Sequence, residues 1–222
     1  MKLIAVMPAF NEEKTIGDVI LKLKKEVSQI IVIDDGSEDK TAQIAQENGA
    51  TVYRHLINRG LGGALGTGLK AGLANGADII VTLDADGQHD PAEIAKLIKP
   101  IAEGEADVVI GSRFLTNQSM PLFRKAGIPF FNLITFLLFD IKSTDSQSGL
   151  RAFNKKSAQK LEIYSRGVLE ASPEILKEIK VHQLKMKEIP VKSIYTQYSL
   201  SKGQRFSPGI RALIKLFASK LK

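Results

Sequence analysis

Apolar positions along the chain follow two rhythms. Short runs at Leu3 to Met7, Ile30 to Ile33, Thr51 to Tyr53, Asp78 to Leu83 and Asp107 to Ile110 predict strands, buried on both faces where the run is unbroken. Between them the spacing becomes helical: Glu12 to Lys25 sets Ile16, Val19, Ile20 and Leu23 on one face, and Asp39 to Asn48 and Pro91 to Glu103 behave alike. Gly49 follows the second of these as a helix stop. Asp90-Pro91-Ala92-Glu93 reads as a helix start, with an N-cap, Pro at the first helical position and a capping-box Glu. Strand and helix thus alternate, which predicts an α/β fold with a single doubly wound, mostly parallel sheet. No repeat, low-complexity tract or linker breaks the chain, so residues 1–222 are expected to form one domain.

Charge divides that domain. The net charge of +7 hides an N-terminal half, residues 1–112, with 11 Lys/Arg against 17 Asp/Glu, and a second half, residues 113–222, with 20 against 7. An acidic half with carboxylates at strand ends suits a divalent cation; a basic half suits phosphate-bearing molecules or an anionic membrane surface. Solvated lysines on exposed helix faces are the plain alternative. No basic-aromatic stacking pattern is visible, so nucleic acid is not an expected partner. With no Cys in the chain, a disulfide framework and a thiolate metal site are both excluded. The N-terminus has neither the apolar core nor the cleavage site of a signal peptide, and the expected location is cytoplasmic.

In doubly wound sheets, ligands bind beyond the carboxyl ends of the strands, where strand order reverses. Three strand ends carry informative residues: Pro8-Ala9-Phe10-Asn11-Glu12, Asp34-Asp35-Gly36-Ser37 and Asp84-Ala85-Asp86-Gly87-Gln88. Two carboxylates one residue apart can hold a hard cation that bridges to substrate phosphates, which makes a diphosphate the natural ligand. Asp34 to Ser37 also fits a plain turn with a helix cap, and His89 reads as a loop residue beside the site, with metal ligation as the alternative. The glycine run from Gly60 to Gly68 lacks a phosphate-loop signature and lies inside a predicted helix, so close packing against the sheet or a ligand is its expected role.

These segments resemble the family 2 glycosyltransferases of the GT-A (nucleotide-diphospho-sugar transferase-like) fold, and within them the polyprenol-phosphate and dolichol-phosphate mannosyl- or glucosyltransferases. The resemblance runs in order through Pro8 to Glu13, Val32 to Thr41, Asn58 to Ala64, Asp84 to His89 and Gly111 to Phe114. It implies that Pro8, Phe10, Glu12, Ile33, Asp35 and Ala64 hold the nucleoside of a GDP- or UDP-linked sugar. Asp84, Ala85, Asp86 and Gln88 would meet donor and metal, with Mg²⁺ or Mn²⁺ on Asp86 and Asp84. Residues 1–112 become the donor-binding half and 113–222 the acceptor-binding half.

Asp145 to Phe153 looks like the Asp-x-x-Ser-Gly segment of the polyprenol-phosphate enzymes, and Ser201-Lys202 stands where they carry a late Ser-Lys, although here the Arg and first Gly of that motif are missing. By the same resemblance Arg113, Arg124 and Lys202 would meet the phosphate of a polyprenyl phosphate acceptor. Guanidinium groups are suited to this because they grip phosphate oxygens through paired hydrogen bonds. The expected reaction is an inverting transfer of a hexose, with Asp86, Arg113 and Asp145 as its catalytic residues. A hydroxyl acceptor, as in polysaccharide or glycolipid synthesis, would instead need a carboxylate base, for which Asp145 is the candidate. A sugar-nucleotide pyrophosphorylase would carry a Gly-rich basic loop after the first strand, where this chain has Pro8 to Glu13.

Two apolar segments bear on a lipid substrate. Gly127 to Ile141 is too short for the ~20 residues of a span and is expected at the membrane interface. Pro208 to Lys222 has the pattern of a basic amphipathic helix. Packing on the core or on a second subunit is the alternative for both, and peripheral binding at the cytoplasmic membrane face is the expectation.

Overall fold

The structure, a computed structural model, describes residues 1–116 and 120–195. One sheet has the strand order β3-β2-β1-β4-β6-β5-β7. Its strands are β1 (Leu3–Ala9), β2 (Gln29–Asp34), β3 (Thr51–Arg54), β4 (Ile79–Thr82), β5 (Val108–Ser112), β6 (Arg151–Asn154) and β7 (Met186–Pro190). Every residue of β1, β4 and β5 is buried, because helices cover both faces.

On one face, α1 (Ile16–Leu23), α2 (Thr41–Glu47) and α4 (Ile94–Ala102) enclose a core that includes Met7, Ile20, Leu23, Val81 and Leu97. On the other, α3 (Gly60–Ala74), α6 (Lys155–Lys160) and α7 (Val168–Val181) pack around Ile4, Ile33, Leu69, Ile80 and Phe153. Alternate residues of β1 serve the two cores, Ala5 and Met7 the first and Ile4 and Val6 the second, as the period of a strand requires. The eighteen-residue α5 (Leu122–Phe139) lies beside α7.

The five predicted strands are all present. Two more, β6 and β7, complete the sheet, and β6 is antiparallel to both neighbours, pairing Ala152 with Val81 of β4 and with Val109 of β5. Neither announces itself by periodicity: β6 is four residues long and opens on a charge, and β7 is a half-exposed edge strand with Lys187 and Glu188 at its centre. The first helix begins at Ile16 rather than Glu12, since residues 12–15 form a turn in which Glu12 O accepts from the N–H groups of Thr15 and Ile16 at 3.1 and 3.0 Å. Asp90 caps as expected, accepting from Ala92 N at 3.0 Å, but Glu93 turns to Lys96 (3.1 Å), and the first turn after Pro91 is a 3-10 turn.

The glycines of α3 are packing devices. A Cβ at Gly68 would stand 2.2 Å from Val6 Cγ1, and one at Gly66 would stand 2.4 Å from Ile163 O. The helix therefore lies directly on the sheet on one side and on the 161–167 segment on the other.

Strand order reverses between β1 and β4, so the carboxyl ends of β1, β2 and β4 share one rim, joined by the end of β5. Because β6 runs the other way, its beginning, with Asp145 to Arg151 leading into it, arrives at that same rim.

Candidate active site

The loop after β4 leaves a strand whose last residues are locked in the core, which aims Asp84 and Asp86 outward over the rim. Asp84 lies deep among protein atoms, yet 41% of its side-chain surface is open to solvent, so it sits at the floor of a cleft. His89 Nε2 meets Asp84 Oδ2 at 3.1 Å. A Cβ on Gly149, just before β6, would fall 2.4 Å from that same oxygen, so only glycine lets this backbone lie against Asp84. Burial works against the Asp84 charge, but the hydrogen bond and field of His89, with Arg151 and Arg113 nearby, outweigh it and hold the carboxyl below its ordinary range.

Asp86 behaves oppositely. Burial and then the negative charge of Asp84 push its carboxyl up, and His89 and Gln88 offset this only in part. Its oxygens accept from Gln88 N (2.9 Å) and from Gln88 Nε2. The pair therefore presents hard oxygen donors with a deficit of positive charge, which suits a divalent cation shared with phosphate oxygens. Among the described residues no group of three or more His, Asp or Glu forms a complete protein cage, so any cation here would draw further ligands from substrate or water.

Positive charge faces this pair. Arg113, just after β5, forms a two-pronged ion pair with Asp145, Nε to Oδ2 at 2.6 Å and Nη2 to Oδ1 at 2.7 Å, and Asp145 is wholly buried. Burial would lower the guanidinium pKa, but the bonds to Asp145 more than reverse that. Arg124, on the first turn of α5, donates to Gln88 Oε1 and stacks over Tyr195, 5.2 Å from the ring centre. Its pKa is lowered, by burial and then by the charge of Arg113, against the opposing pull of Tyr195 and Asp86. Two mutually repelling guanidinium groups beside one cleft suit a polyanion. Gln88 joins the two sides, with its amide nitrogen on Asp86 and its oxygen on Arg124.

The other two loops converge further along the rim. Asn11, at φ 54°, donates its N–H to Ser37 Oγ (3.0 Å), Glu12 N donates to Thr41 Oγ1 (2.7 Å), and Asp35 N donates to Ala9 O (2.8 Å). Phe10 stands exposed at this junction, with Glu12 half-buried beside it. Pro8, Ile33, Ala64 and Ala85 are buried. Their side chains therefore build the floor under the rim rather than project from it.

Asp35 is held inside. Its Oδ1 accepts from Arg59 N (2.9 Å) and meets His55 Nδ1 (2.7 Å), while Oδ2 accepts from Gly60 N (2.7 Å), so it caps the start of α3. Asp34, fully buried, pairs with Arg54 at 3.0 Å and accepts from Ser37 N at 3.2 Å. The turn-and-cap reading of this motif thus holds for both carboxylates.

Sequence reasoning missed His55 and the buried Arg151. The signal for Arg151 was there: a charge inside the apolar run Leu150-Arg151-Ala152-Phe153 has to meet partners, here Ser172 Oγ at 2.8 Å and the field of Asp84 and Asp145. Burial lowers its pKa to about 10. Lys202, Ser201 and the segment Pro208 to Lys222 lie outside the described residues.

Comparison with known proteins fits this geometry. The model of the family described as "Glycosyl transferase family 2" matches residues 4–162. An uncharacterized protein of Methanocaldococcus jannaschii is 46% identical over 226 residues, covering 99% of this chain and 93% of the relative. A UDP-N-acetylglucosamine–dolichyl-phosphate N-acetylglucosaminyltransferase of Methanococcus voltae is 39% identical over 238 residues, 97% of this chain and 95% of that one. Among solved structures, glucosyl-3-phosphoglycerate synthase of Mycobacterium tuberculosis, in complex with Mn²⁺, uridine diphosphate and glucosyl-3-phosphoglycerate, superposes with a TM-score of 0.74. It does so at 21% identity over 99% of this chain and 78% of that one, which is a likeness of fold.

Proposed function

Because the chain belongs to glycosyl transferase family 2, we propose that it moves a hexose from a nucleoside-diphosphate sugar to a polyprenyl phosphate at the membrane surface. The observation that carries this reading is the contiguity of opposite charges. Asp84 and Asp86 on one side of Gln88, and Arg113 and Arg124 on the other, suit a donor diphosphate with its cation beside an anionic acceptor. The relative from Methanococcus voltae, whose name states both a nucleotide sugar and a dolichyl phosphate, supports the same assignment.

Asp86 and Asp84 would hold the cation, Mg²⁺ or Mn²⁺, which when bound supplies Lewis-acid relief of the charge that develops on the departing diphosphate. The loops of Phe10 and Glu12, with Asp35 beneath them, would seat the nucleoside over Pro8, Ile33, Ala64 and Ala85. Arg113 and Arg124 would orient the acceptor phosphate by hydrogen bonds and keep its charge near the anomeric carbon. A phosphate oxygen then forms its bond to that carbon as the bond to the diphosphate oxygen breaks on the opposite face, inverting the centre and releasing a nucleoside diphosphate.

Asp145 bears on the choice of acceptor. Both its oxygens are committed to Arg113, so it positions that guanidinium instead of serving as a free base. An acceptor that is already anionic needs no base, whereas a hydroxyl would.

The test is to incubate the chain with labelled UDP-N-acetylglucosamine, UDP-glucose or GDP-mannose, dolichyl or undecaprenyl phosphate, and Mg²⁺ or Mn²⁺. Label should pass into the organic phase only with metal and lipid phosphate present. Asp86→Ala should lower the rate by at least about 10²-fold at unchanged melting temperature. Undiminished turnover of this variant with metal present would defeat the assignment.

A further inference from the structure

Arg113 owes its orientation to Asp145, and Asp145 sits in a loop held at both ends by residues that no motif includes. On one side Glu188, at the centre of β7, accepts from Ser143 Oγ (2.6 Å), from Thr144 N (2.9 Å to Oε2, 3.0 Å to Oε1) and from Thr144 Oγ1 (2.7 Å), with Asp145 N at 3.4 Å. On the other side Asn132 of α5 donates from Nδ2 to Thr144 O (2.8 Å) and accepts from Ser146 N (2.9 Å). Thr144 Oγ1 also meets Ser112 Oγ at 2.7 Å, tying the loop to the residue before Arg113.

A half-exposed edge strand gains little from a carboxylate at this position. A loop with four converging donors does gain, because charge-assisted hydrogen bonds to backbone and hydroxyl groups fix it more firmly than neutral ones. We infer that Glu188, acting through Thr144 and Asp145, is a positioning residue for acceptor recognition. It holds the 143–146 loop so that Arg113 presents its guanidinium to the acceptor phosphate, with Asn132 as the opposing clamp. The inference rests on the reading of Arg113 as an acceptor-phosphate ligand. It adds a specificity element on β7 and α5, outside the Asp84–Asp86 pair.

The chemistry is particular to a carboxylate. An amide at residue 188 would turn an N–H₂ group toward N–H and O–H donors, and the loop would lose at least one of its contacts. Glu188→Gln should raise the KM for dolichyl phosphate about tenfold, the effect of losing one charge-assisted hydrogen bond. The KM for the nucleotide sugar should stay within about twofold. Thr144→Val should show the same split, and Thr144→Ser, which keeps the hydroxyl, should restore wild-type behaviour. In an Arg113→Ala background, Glu188→Gln should add nothing further, since both act on one contact.

Outcomes separate the two levels. If Arg113→Ala leaves the acceptor KM unchanged, the phosphate-ligand reading falls and this inference with it. If Arg113→Ala raises it while Glu188→Gln and Thr144→Val do not, the inference alone is wrong. Equal changes in both KM values with a lowered melting temperature, or full additivity with Arg113→Ala, would reduce Glu188 to a structural support and overturn the proposal.

Discussion

Asp35 illustrates how one buried side chain can tie several elements together. It is 4% exposed and engages His55 and the N–H groups of Arg59 and Gly60 at the start of α3. His55 in turn meets Thr67 Oγ1 at 3.0 Å, so strand end, cap and helix interior are tied through one carboxylate. Asn at this position would set an amide N–H₂ against donors. Asp35→Asn should therefore lower unfolding free energy by about 2 kcal/mol, measured by urea denaturation. A loss below about 0.5 kcal/mol would show that the cap is dispensable for stability. Asp35, Asp84 and Asp86 were legible in the sequence because each follows an apolar strand, and the strand-end rule assembles them, whereas Asp145, which precedes β6, was marked only by the family resemblance. Glu188 and Asn132 were not, because their partners lie 44 and 12 residues away at Thr144, across contacts that no local spacing encodes.

At the scale of elements, β1, β2, β4 and β5 were readable from unbroken apolar runs, and α1 from the face of Ile16, Val19, Ile20 and Leu23. Residues 127–141, read as interfacial, fall largely within α5, which is amphipathic in an unusual sense. Ile128, Ile134 and Leu138 are buried, Phe130, Leu133 and Leu137 are exposed, and Asn132 and Arg124 reach the site loops. Glycines separate α3 from α5. Gly68→Ala should destabilise by about 1–3 kcal/mol, because its methyl would overlap Val6 against a packed sheet. Gly127→Ala, with nothing within 4 Å of the added carbon, should stabilise by about 0.5–1 kcal/mol through helix propensity. Thermal or urea unfolding of the two variants reads both signs, and a stabilised Gly68→Ala would refute the account of α3.

Across the whole molecule, guanidinium charge and exposed apolar surface come together on α5. No helix among the described residues is long and apolar enough to cross a membrane. Phe130 and Leu133, 52% and 55% exposed, offer apolar side chains on the same helix as the exposed Lys125. Under the proposed function this helix lies on the bilayer surface while Arg124, on its first turn, reaches the cleft. Co-sedimentation with vesicles containing anionic lipid should retain the protein, weaken as salt rises, and fall about tenfold or more for the double variant Phe130→Ser, Leu133→Ser. Retention unchanged by that double substitution would remove α5 from the membrane contact.

The reversed strand β6 has a consequence for how the molecule can be taken apart. Residues 151–154, from the basic half, are threaded between β4 and β5, which both belong to the acidic half. A polypeptide cut at residue 112 would keep those two strands with the one between them gone, two naked edges facing a gap one strand wide. The acidic and basic halves are thus woven into a single cloth, and neither is expected to fold as a separate piece.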